Sequence, residues 1–414
     1  MPRQTHLFLT LSRAGWGEAS FGLYLAEQLR RRNENVLFLR HAGNEHLFAG
    51  TPFENHPIGD HIGTLIWPLI KECARENNIA SVVLCDSWTT DGFLRRCKVD
   101  GAVLFELGVP VIGVDTWDNV SRADPIDIFG TERKAASDWV RRVAGLLPCP
   151  IVRPSNRAGV CRFLNSPVSL AKRVRAHVRD GWGLRPTDSV ILFCTASWQQ
   201  TTYNDADGDR CAVTFPALLA QYASELGPDV HFVHVGPAPL EPLQRIGGRY
   251  KWLPPLGNKF DLALGAVDLL VSANASATTV NKAIASQIPV LILENSCRAS
   301  ALDEAIEWLG NRATPQVIEW LTTALPIFPF RLWPIGLYKF ITPILHENPY
   351  ADAAESVEWL DRQKVIDRTR ALLFSVSIRA ELQQRQHEYC CRIQHLPTAA
   401  ESFDSLLVSQ LCAA

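Results

Sequence analysis

The sequence predicts an α/β protein with two doubly wound, Rossmann-like domains that face a cleft. Two observations predict this class. Strands that are apolar throughout alternate with helices over the first 120 residues, and the same alternation begins again near residue 190. Strands of this kind belong to parallel sheets that helices cover on both faces.

The first half supplies predicted strands at residues 6–11, 36–39, 82–85 and 111–114. Helices are predicted between them, at residues 19–32, 62–76 and 92–107. The first helix is the clearest, because Phe21, Leu25 and Leu29 are spaced by four and share one face.

The second half repeats this architecture. Strands are predicted at residues 190–194, 230–235, 251–253, 268–271 and 290–293, with helices at 217–226 and 278–286. A helix stop, a proline and a strand follow one another at residues 108–111 and again at 287–290. Further helices are predicted in the tail, at residues 354–360 and 365–389.

Prolines mark the boundary between the two halves, at positions 148, 150, 154, 167 and 186. The sequence therefore predicts an N-terminal domain at residues 1–165, a second domain at 166–349, and C-terminal helices at 350–414.

Composition excludes several classes of protein. Of the 414 residues, 47% are hydrophobic and 20% charged, which excludes a disordered or collagen-like chain. The formal net charge of -2 gives no general electrostatic reason to bind nucleic acid. Four prolines and two charges within residues 320–345 argue against a membrane-spanning helix there. Within this stretch, the apolar segment 327–345 could be buried between the domains, form a homodimer face or cover a lipidic acceptor, and burial is favoured.

The 11 cysteines show no framework spacing and no CxxC pair, which indicates reduced thiols in a cytoplasmic protein. The spacing of His41, His46, His56 and His61 does not fit a zinc site, so no metal is expected.

Ligands of open parallel sheets bind beyond the carboxyl ends of the strands. In the second half, the loop at residues 272–279 joins a strand to a helix and carries small residues and hydroxyls. A free helix N-terminus of this kind suits a phosphate or diphosphate. A plain helix cap without a ligand remains the alternative. Thr195 and Ser197 offer further hydroxyls at a neighbouring strand end, and Gly236 ends another strand.

Acidic residues follow the strands of the first half. Glu18 lies in the first glycine-containing loop, Asp86 and Asp115 each end a strand, and Asp118 follows closely. Carboxylates that converge at strand ends suit a general base and an orienting partner. The alternative for each is a helix cap or a capped loop. Trp16, Trp88 and Trp117 lie in the same loops and could form an aromatic wall.

Several of these segments together resemble the GT-B glycosyltransferases that use a nucleoside diphosphate sugar without a metal. The donor half of that family is similar to Tyr250-Lys251-Trp252-Leu253-Pro254-Pro255, to the strand before residue 272, and to Ala277-Thr278-Thr279-Val280 with Ile288-Pro289-Val290. The family's first acceptor-domain loop and helix are similar to residues 15–32.

The resemblance implies an inverting transfer of a sugar, with a UDP-sugar as one option, to a small-molecule acceptor. It also implies that the C-terminal helices pack back on the first domain. Glu18, Asp86 or Asp118 would act as base, and Trp16, Gly17, Trp88 and Trp117 would bind the acceptor. The donor would be bound by Thr195, Ser197, Trp198, Gly236, Leu253, Asn274, Ser276, Thr278, Thr279 and Lys282.

The sequence departs from the family pattern at three places. No His ends the strand at Val271-Ser272, Asn274-Ala275 replaces a Gly-Gly pair, and Lys282 or Asn281 takes the place of a ribose-binding Glu. Two alternatives therefore stay open. One is a nucleotide-sugar epimerase or hydrolase on the same fold, and the other is a catalytically silent homologue that binds nucleotide or a partner protein.

Overall fold

The computed structural model describes residues 3–13, 16–118, 125–133, 136–149, 151–163, 167–200 and 206–413, apart from the side chains of 133, 206–213, 258 and 413. The chain forms two compact units. The first comprises residues 1–125, 134–163 and 392–414, and the second comprises residues 126–133 and 164–391.

The strands are numbered along the chain. They are β1 Thr5–Thr10, β2 Asn35–His41, β3 Glu54–Ile58, β4 Ser81–Leu84, β5 Val111–Val114, β6 Ile126–Ile128, β7 Thr131–Arg133, β8 Ala144–Cys149, β9 Val160–Arg162, β10 Ser189–Cys194, β11 Val230–Val235, β12 Tyr250–Leu253, β13 Leu269–Ser272, β14 Val290–Glu294, β15 Phe330–Leu332, β16 Gly336–Leu337 and β17 Glu355–Glu358.

The α-helices are numbered in the same way. They are α1 Trp16–Arg31, α2 Glu45–Phe48, α3 Ile66–Glu76, α4 Ser87–Arg96, α5 Lys172–Gly181, α6 Ser197–Gln200, α7 Ala206–Glu225, α8 Glu241–Gln244, α9 Phe260–Ala266, α10 Thr278–Ala285, α11 Leu302–Leu309, α12 Pro315–Ala324, α13 Tyr338–Leu345, α14 Pro349–Asp352, α15 Arg362–Phe374, α16 Val376–Ile393 and α17 Ala399–Ala413. Short 3-10 helices lie at Ala42–Asn44, Asp60–Leu65, Gly101–Leu107, Asp138–Arg142, Gly247–Arg249, Gly257–Lys259 and Gly310–Arg312.

The first unit is built on a seven-stranded sheet in the order β3-β2-β1-β4-β5-β8-β9. All neighbours run parallel. Every residue of β4 and β5 is buried, as expected for strands covered on both faces. The last helix, α17, packs on this sheet: the Gln410 side chain accepts a hydrogen bond from the Val111 N–H at 3.0 Å, and Phe403 is fully buried.

The second unit is built on a six-stranded parallel sheet in the order β12-β11-β10-β13-β14-β17. The order in which strands are added to this sheet reverses between β10 and β13, and the equivalent reversal in the first sheet lies between β1 and β4. These reversals are where open α/β sheets bind ligands. The predicted class of two Rossmann-like sheets with a C-terminal helix returning to the first is therefore confirmed.

A smaller, four-stranded sheet belongs to the second unit, in the order β15-β16-β6-β7. It contains part of the apolar, proline-broken segment that the sequence singled out, and Phe330, Trp333 and Phe340 are all buried. The Asp127 carboxylate accepts N–H bonds from Tyr338 and Phe340 and so holds the start of α13. These three aromatic side chains of the segment are therefore buried rather than exposed.

One prediction for the tail was wrong, and another missed a break. Residues 354–360 are not a helix but contain β17, which pairs with β14 through Leu293 and Val357. The three-residue spacing of Val357 and Leu360 imitates a helix, and the open edge of β14 decides otherwise. The helix predicted over 365–389 is two helices that break at Ser375, which has an extended backbone.

No helix of the described residues is both long and apolar enough to cross a membrane. The ten cysteines whose side chains are described are all free thiols. Within the same described residues, no cluster of three or more His, Cys, Asp or Glu side chains is placed to hold a metal ion.

Candidate active site

The loop between β13 and α10 is stabilised by its own polar groups. Asn274 Oδ1 accepts hydrogen bonds from the N–H and the hydroxyl of Ser276, both at 2.9 Å. The Ser272 hydroxyl donates to the Asn274 carbonyl at 3.0 Å. Ser276 and Asn274 therefore shape the turn, and the Ser276 hydroxyl already has an internal partner.

Helix α10 starts directly after this turn without a side-chain cap. Its N-cap residue is Ala277, which has no oxygen on its side chain to accept from the first-turn N–H groups. The first N–H groups of any helix have no partner inside the helix. Thr278 and Thr279, the first two helical residues, are only partly buried. This helix start therefore presents N–H groups, hydroxyls and the positive end of the helix dipole.

Two further elements hold the loop in place. The Tyr350 hydroxyl lies 2.8 Å from the Ala275 carbonyl and 2.7 Å from Asn281 Oδ1, and all three residues are buried. The Ala275 N–H donates to the Arg331 carbonyl of β15 at 3.0 Å. Asn281 is thus a structural partner of Tyr350.

Lys282 forms an ion pair with Asp261 of α9. Both side chains are partly exposed, at 30% and 49%. An ion pair of this exposure contributes little to stability, so an anionic ligand could compete for the ammonium group.

The loop after β10 is fixed by a buried network that the sequence did not reveal. Thr195 Oγ1 lies 2.8 Å from His234 Nε2, and His234 Nδ1 lies 2.9 Å from the Tyr250 hydroxyl. Gln200 donates to Thr195 Oγ1 at 3.0 Å and also bonds to the backbone of Ala238. Burial lowers the pKa of His234 to about 4, so its imidazole is neutral near pH 7.

Strand β12 is an edge strand whose outer backbone groups are unpaired by the sheet. The Leu253 carbonyl accepts from the Gly236 N–H at 3.1 Å, and the Trp252 indole donates to the Gly236 carbonyl at 2.9 Å. The Trp252 side chain is exposed, while Ser197 and Trp198 of α6 are partly buried.

In the first unit, Glu18 and Asp86 lie where β1 and β4 end. Burial and, to a smaller extent, the charge of Asp86 together raise the pKa of Glu18 to about 8. Burial also raises the pKa of Asp86 to about 6, although the Thr89 N–H donates to its carboxylate at the start of α4. Glu18 therefore keeps its proton near neutral pH, whereas Asp86 is mostly ionised there although its pKa lies above that of an ordinary carboxyl group.

Close packing of α1 on β4 brings this pair together. Gly22 is one turn after Glu18, and a Cβ at Gly22 would lie 2.4 Å from Sγ of Cys85, the residue before Asp86. Only glycine fits at this distance, so α1 approaches the end of β4 more closely than any side chain would allow.

Asp118 has a different environment. Its carboxylate forms an ion pair with Arg157 at 2.8 Å, and its backbone has a positive φ of 56°. Asp115, after β5, is buried and its charge raises the pKa of Asp86. The structure therefore associates Glu18 with Asp86 and gives Asp118 a basic partner.

The predicted acceptor residues lie around the same strand ends. Trp16 and Gly17 begin α1, and the Trp16 indole contacts the His46 ring at a centroid distance of 4.3 Å. Trp88 is partly buried in the first turn of α4, whereas Trp117 is only 7% exposed. Trp117 is the one of these four that has the burial of a core residue.

Asp91 is a structural residue. Its fully buried carboxylate accepts hydrogen bonds from the Trp139 indole at 2.8 Å and the Ser137 N–H at 3.0 Å, and pairs with Arg95 at 3.2 Å. A cavity of ≈ 630 Å³ lies beside it, also lined by Arg142. This cavity is formed by α4 and two 3-10 helices rather than by strand ends, so it is separate from the candidate site.

We expect the variant Glu18→Gln to be more stable than the wild type, by an amount that grows with pH. The pKa of Glu18 is raised on folding, so its stabilising contribution is lost as pH rises from about 4.5 to about 8. Gln carries no charge and escapes this loss. Chemical denaturation at pH 5 and pH 8 should show a gain of about 1–3 kcal/mol at pH 8 and little gain at pH 5. An equal gain at both pH values would contradict the raised pKa.

Comparisons with known proteins agree with this architecture. HepE from Anabaena, solved with UDP and glucose, matches over 100% of both chains with a TM-score of 0.57 and 12% identity. A glycosyltransferase from Rickettsia africae ESF-5 matches over 99% of this chain and 97% of that chain, with a TM-score of 0.53 and 10% identity. The glycosyltransferase VinC, solved with dTDP, matches over 98% of both chains with a TM-score of 0.52 and 14% identity.

These matches show that the chain has the GT-B glycosyltransferase fold, as its sequence resemblance implied. The chain belongs to a family of unknown function, DUF6365, whose sequence profile matches residues 25–411. No curated protein matches the chain significantly.

Proposed function

We propose that this protein is an inverting, metal-independent glycosyltransferase that moves a sugar from a nucleoside diphosphate donor to a small-molecule acceptor. The observation that carries the proposal is the uncapped start of α10, where Thr278 and Thr279 present N–H groups and hydroxyls beside a turn preorganised by Asn274. Such a helix start favours an anion of the size of a diphosphate.

We assign binding of the donor to residues 166–349 and binding of the acceptor to residues 1–165, with residues 350–414 as a helical C-terminal segment. On the donor side, the outer edge of β12 around Leu253 offers backbone groups to the nucleotide base of the donor. Thr195, Ser197 and Trp198 lie at the end of β10, and Gly236 allows the backbone to approach closely there. Lys282 would exchange Asp261 for a ligand oxygen.

The chemistry requires the acceptor oxygen or nitrogen to attack the anomeric carbon while the bond to the diphosphate breaks. The helix start stabilises the charge that develops on the departing diphosphate. A base takes the acceptor proton. Glu18 fits this role best, because it is more accessible than Asp86 and its pKa of about 8 makes it a stronger base than an ordinary carboxylate. The charge of Asp86 contributes to the raised pKa of Glu18. Asp118 is a weaker candidate for the base because its carboxylate already pairs with Arg157.

The test is to incubate the protein with UDP-sugars and dTDP-sugars, alone and with a panel of hydroxyl- and amine-bearing acceptors, and to measure nucleotide release and glycosylated product. Product formation that depends on the acceptor supports the proposal. Release or conversion of the donor without acceptor would favour an epimerase or hydrolase. Nucleotide binding without any turnover would favour a catalytically silent homologue.

A further inference from the structure

We propose that His234 is a positioning residue for the donor diphosphate, which it orients through the hydroxyl of Thr195. This inference rests on the proposed function and names a residue that acts without touching the ligand.

Both ring nitrogens of His234 have a hydroxyl partner from the protein. His234 is fully buried, with one ring nitrogen 2.8 Å from Thr195 Oγ1 and the other 2.9 Å from the Tyr250 hydroxyl. The Leu240 N–H donates to the Tyr250 oxygen at 2.9 Å, and the Gln200 amide donates to Thr195 Oγ1 at 3.0 Å. Each hydroxyl oxygen therefore has two neighbours.

Counting protons leaves two arrangements, because a neutral imidazole has one N–H. In the first, Tyr250 donates to His234 Nδ1 and His234 Nε2–H donates to Thr195, whose own proton then points away from the network. In the second, every direction is reversed and the proton of Tyr250 is the one left over. Tyr250 is partly exposed and can give its proton to water, whereas Thr195 is 3% exposed.

The first arrangement therefore needs an acceptor brought by a ligand, and an anionic phosphoryl oxygen is the strongest one available. Diphosphate binding would select the arrangement in which both lone pairs of Thr195 are occupied and its proton points to the ligand. His234 fixes this direction, because it supplies the N–H that occupies the second lone pair.

Gly236 shows how tightly the protein itself packs on this cluster. A Cβ at Gly236 would lie 2.3 Å from Thr195 Oγ1 and 2.6 Å from His234 Nε2. The backbone of the loop after β11 therefore lies directly against the Thr195–His234 hydrogen bond, and any side chain at 236 would displace it.

The experiment compares His234→Asn with His234→Gln. An Asn amide can replace only the nitrogen that faces Tyr250, whereas a Gln amide reaches the position of Nε2 and can still donate to Thr195. Calorimetric titrations with UDP and dTDP should show about tenfold weaker binding by His234→Asn and near wild-type binding by His234→Gln. Binding of uridine and thymidine should be the same in both variants.

Two controls separate positioning from structural damage. Tyr222→Phe removes a buried hydroxyl that bonds to the Trp359 carbonyl at 2.8 Å, away from the site, and should leave UDP and dTDP affinity unchanged. In a Thr195→Val background, His234→Asn should cause no additional loss. If a variant fails to fold, ¹⁵N shifts of the wild-type imidazole decide: they should report the Nε2–H form when the nucleotide is bound, and a Nδ1–H form would overturn the inference.

If His234→Asn binds UDP and dTDP as the wild type does, the inference is overturned but the proposed function is not. Equal losses for nucleoside and nucleoside diphosphate, or equal losses in the Asn and Gln variants, have the same consequence. If the wild-type protein binds neither UDP nor dTDP, the proposed function is overturned together with the inference.

Discussion

Glu18→Gln should lower the rate of sugar transfer by about 10²–10⁴-fold while leaving donor affinity unchanged. A positioned general base contributes acceleration of this size, and the amide cannot take the acceptor proton. The measurement is kcat/KM for the acceptor, with nucleotide affinity determined separately by calorimetry. Glu72→Gln, an exposed substitution on α3, is the matched control and should transfer at the wild-type rate.

The pH dependence distinguishes this role from simple damage. Because only the ionised carboxylate is a base, transfer by the wild-type protein should rise with pH up to about 8, the pKa of Glu18. Asp86→Asn removes a negative charge that raises this pKa, so the rise should move to lower pH. A rate that levels off near pH 4–5, as an ordinary carboxylate would give, or unchanged transfer by Glu18→Gln, would contradict the assignment.

Thr278→Glu should weaken binding of UDP or dTDP by at least about 100-fold without destabilising the protein. A carboxylate at the first position of α10 repels the diphosphate at short range. The same carboxylate interacts favourably with the helix dipole, so the free protein should be as stable as before or slightly more stable. Calorimetry and thermal unfolding measure the two effects separately.

Thr278→Gln is the neutral control for size and should lower affinity by less than about threefold, since the backbone N–H groups of the helix start remain. Uridine should bind equally to both variants. Equal affinity of UDP and dTDP for the Glu and Gln variants would show that no diphosphate binds at the start of α10.

The central strands of both sheets were predictable because they are short, mainly apolar runs separated by glycine and proline, whereas the polar edge strand β3 and the strands β8 and β9 were not predicted. The position of the candidate site followed from this layout, since parallel strands bring their carboxyl ends to one edge. β17 was not predictable, because only the free edge of β14 makes Glu355–Glu358 a strand. Local spacing favours a helix there.

Residue roles were less predictable than their positions. Ser276 has a hydroxyl in the right loop, but the neighbouring Asn274 already accepts its proton. The role of His234 depends on Thr195 and Tyr250, which are 39 and 16 residues away. The one local signal was a histidine between Val233 and Val235, in a strand whose other residues are apolar except His231, because a buried histidine requires hydrogen-bond partners.

A crystal structure with UDP or dTDP bound tests the central claim most directly. We predict that the diphosphate oxygens accept hydrogen bonds from the backbone N–H groups of Thr278, Thr279 and Val280, with the Thr195 hydroxyl donating as well. A diphosphate bound elsewhere on the protein, or a start of α10 that stays occupied by protein groups at saturating nucleotide, would contradict the claim.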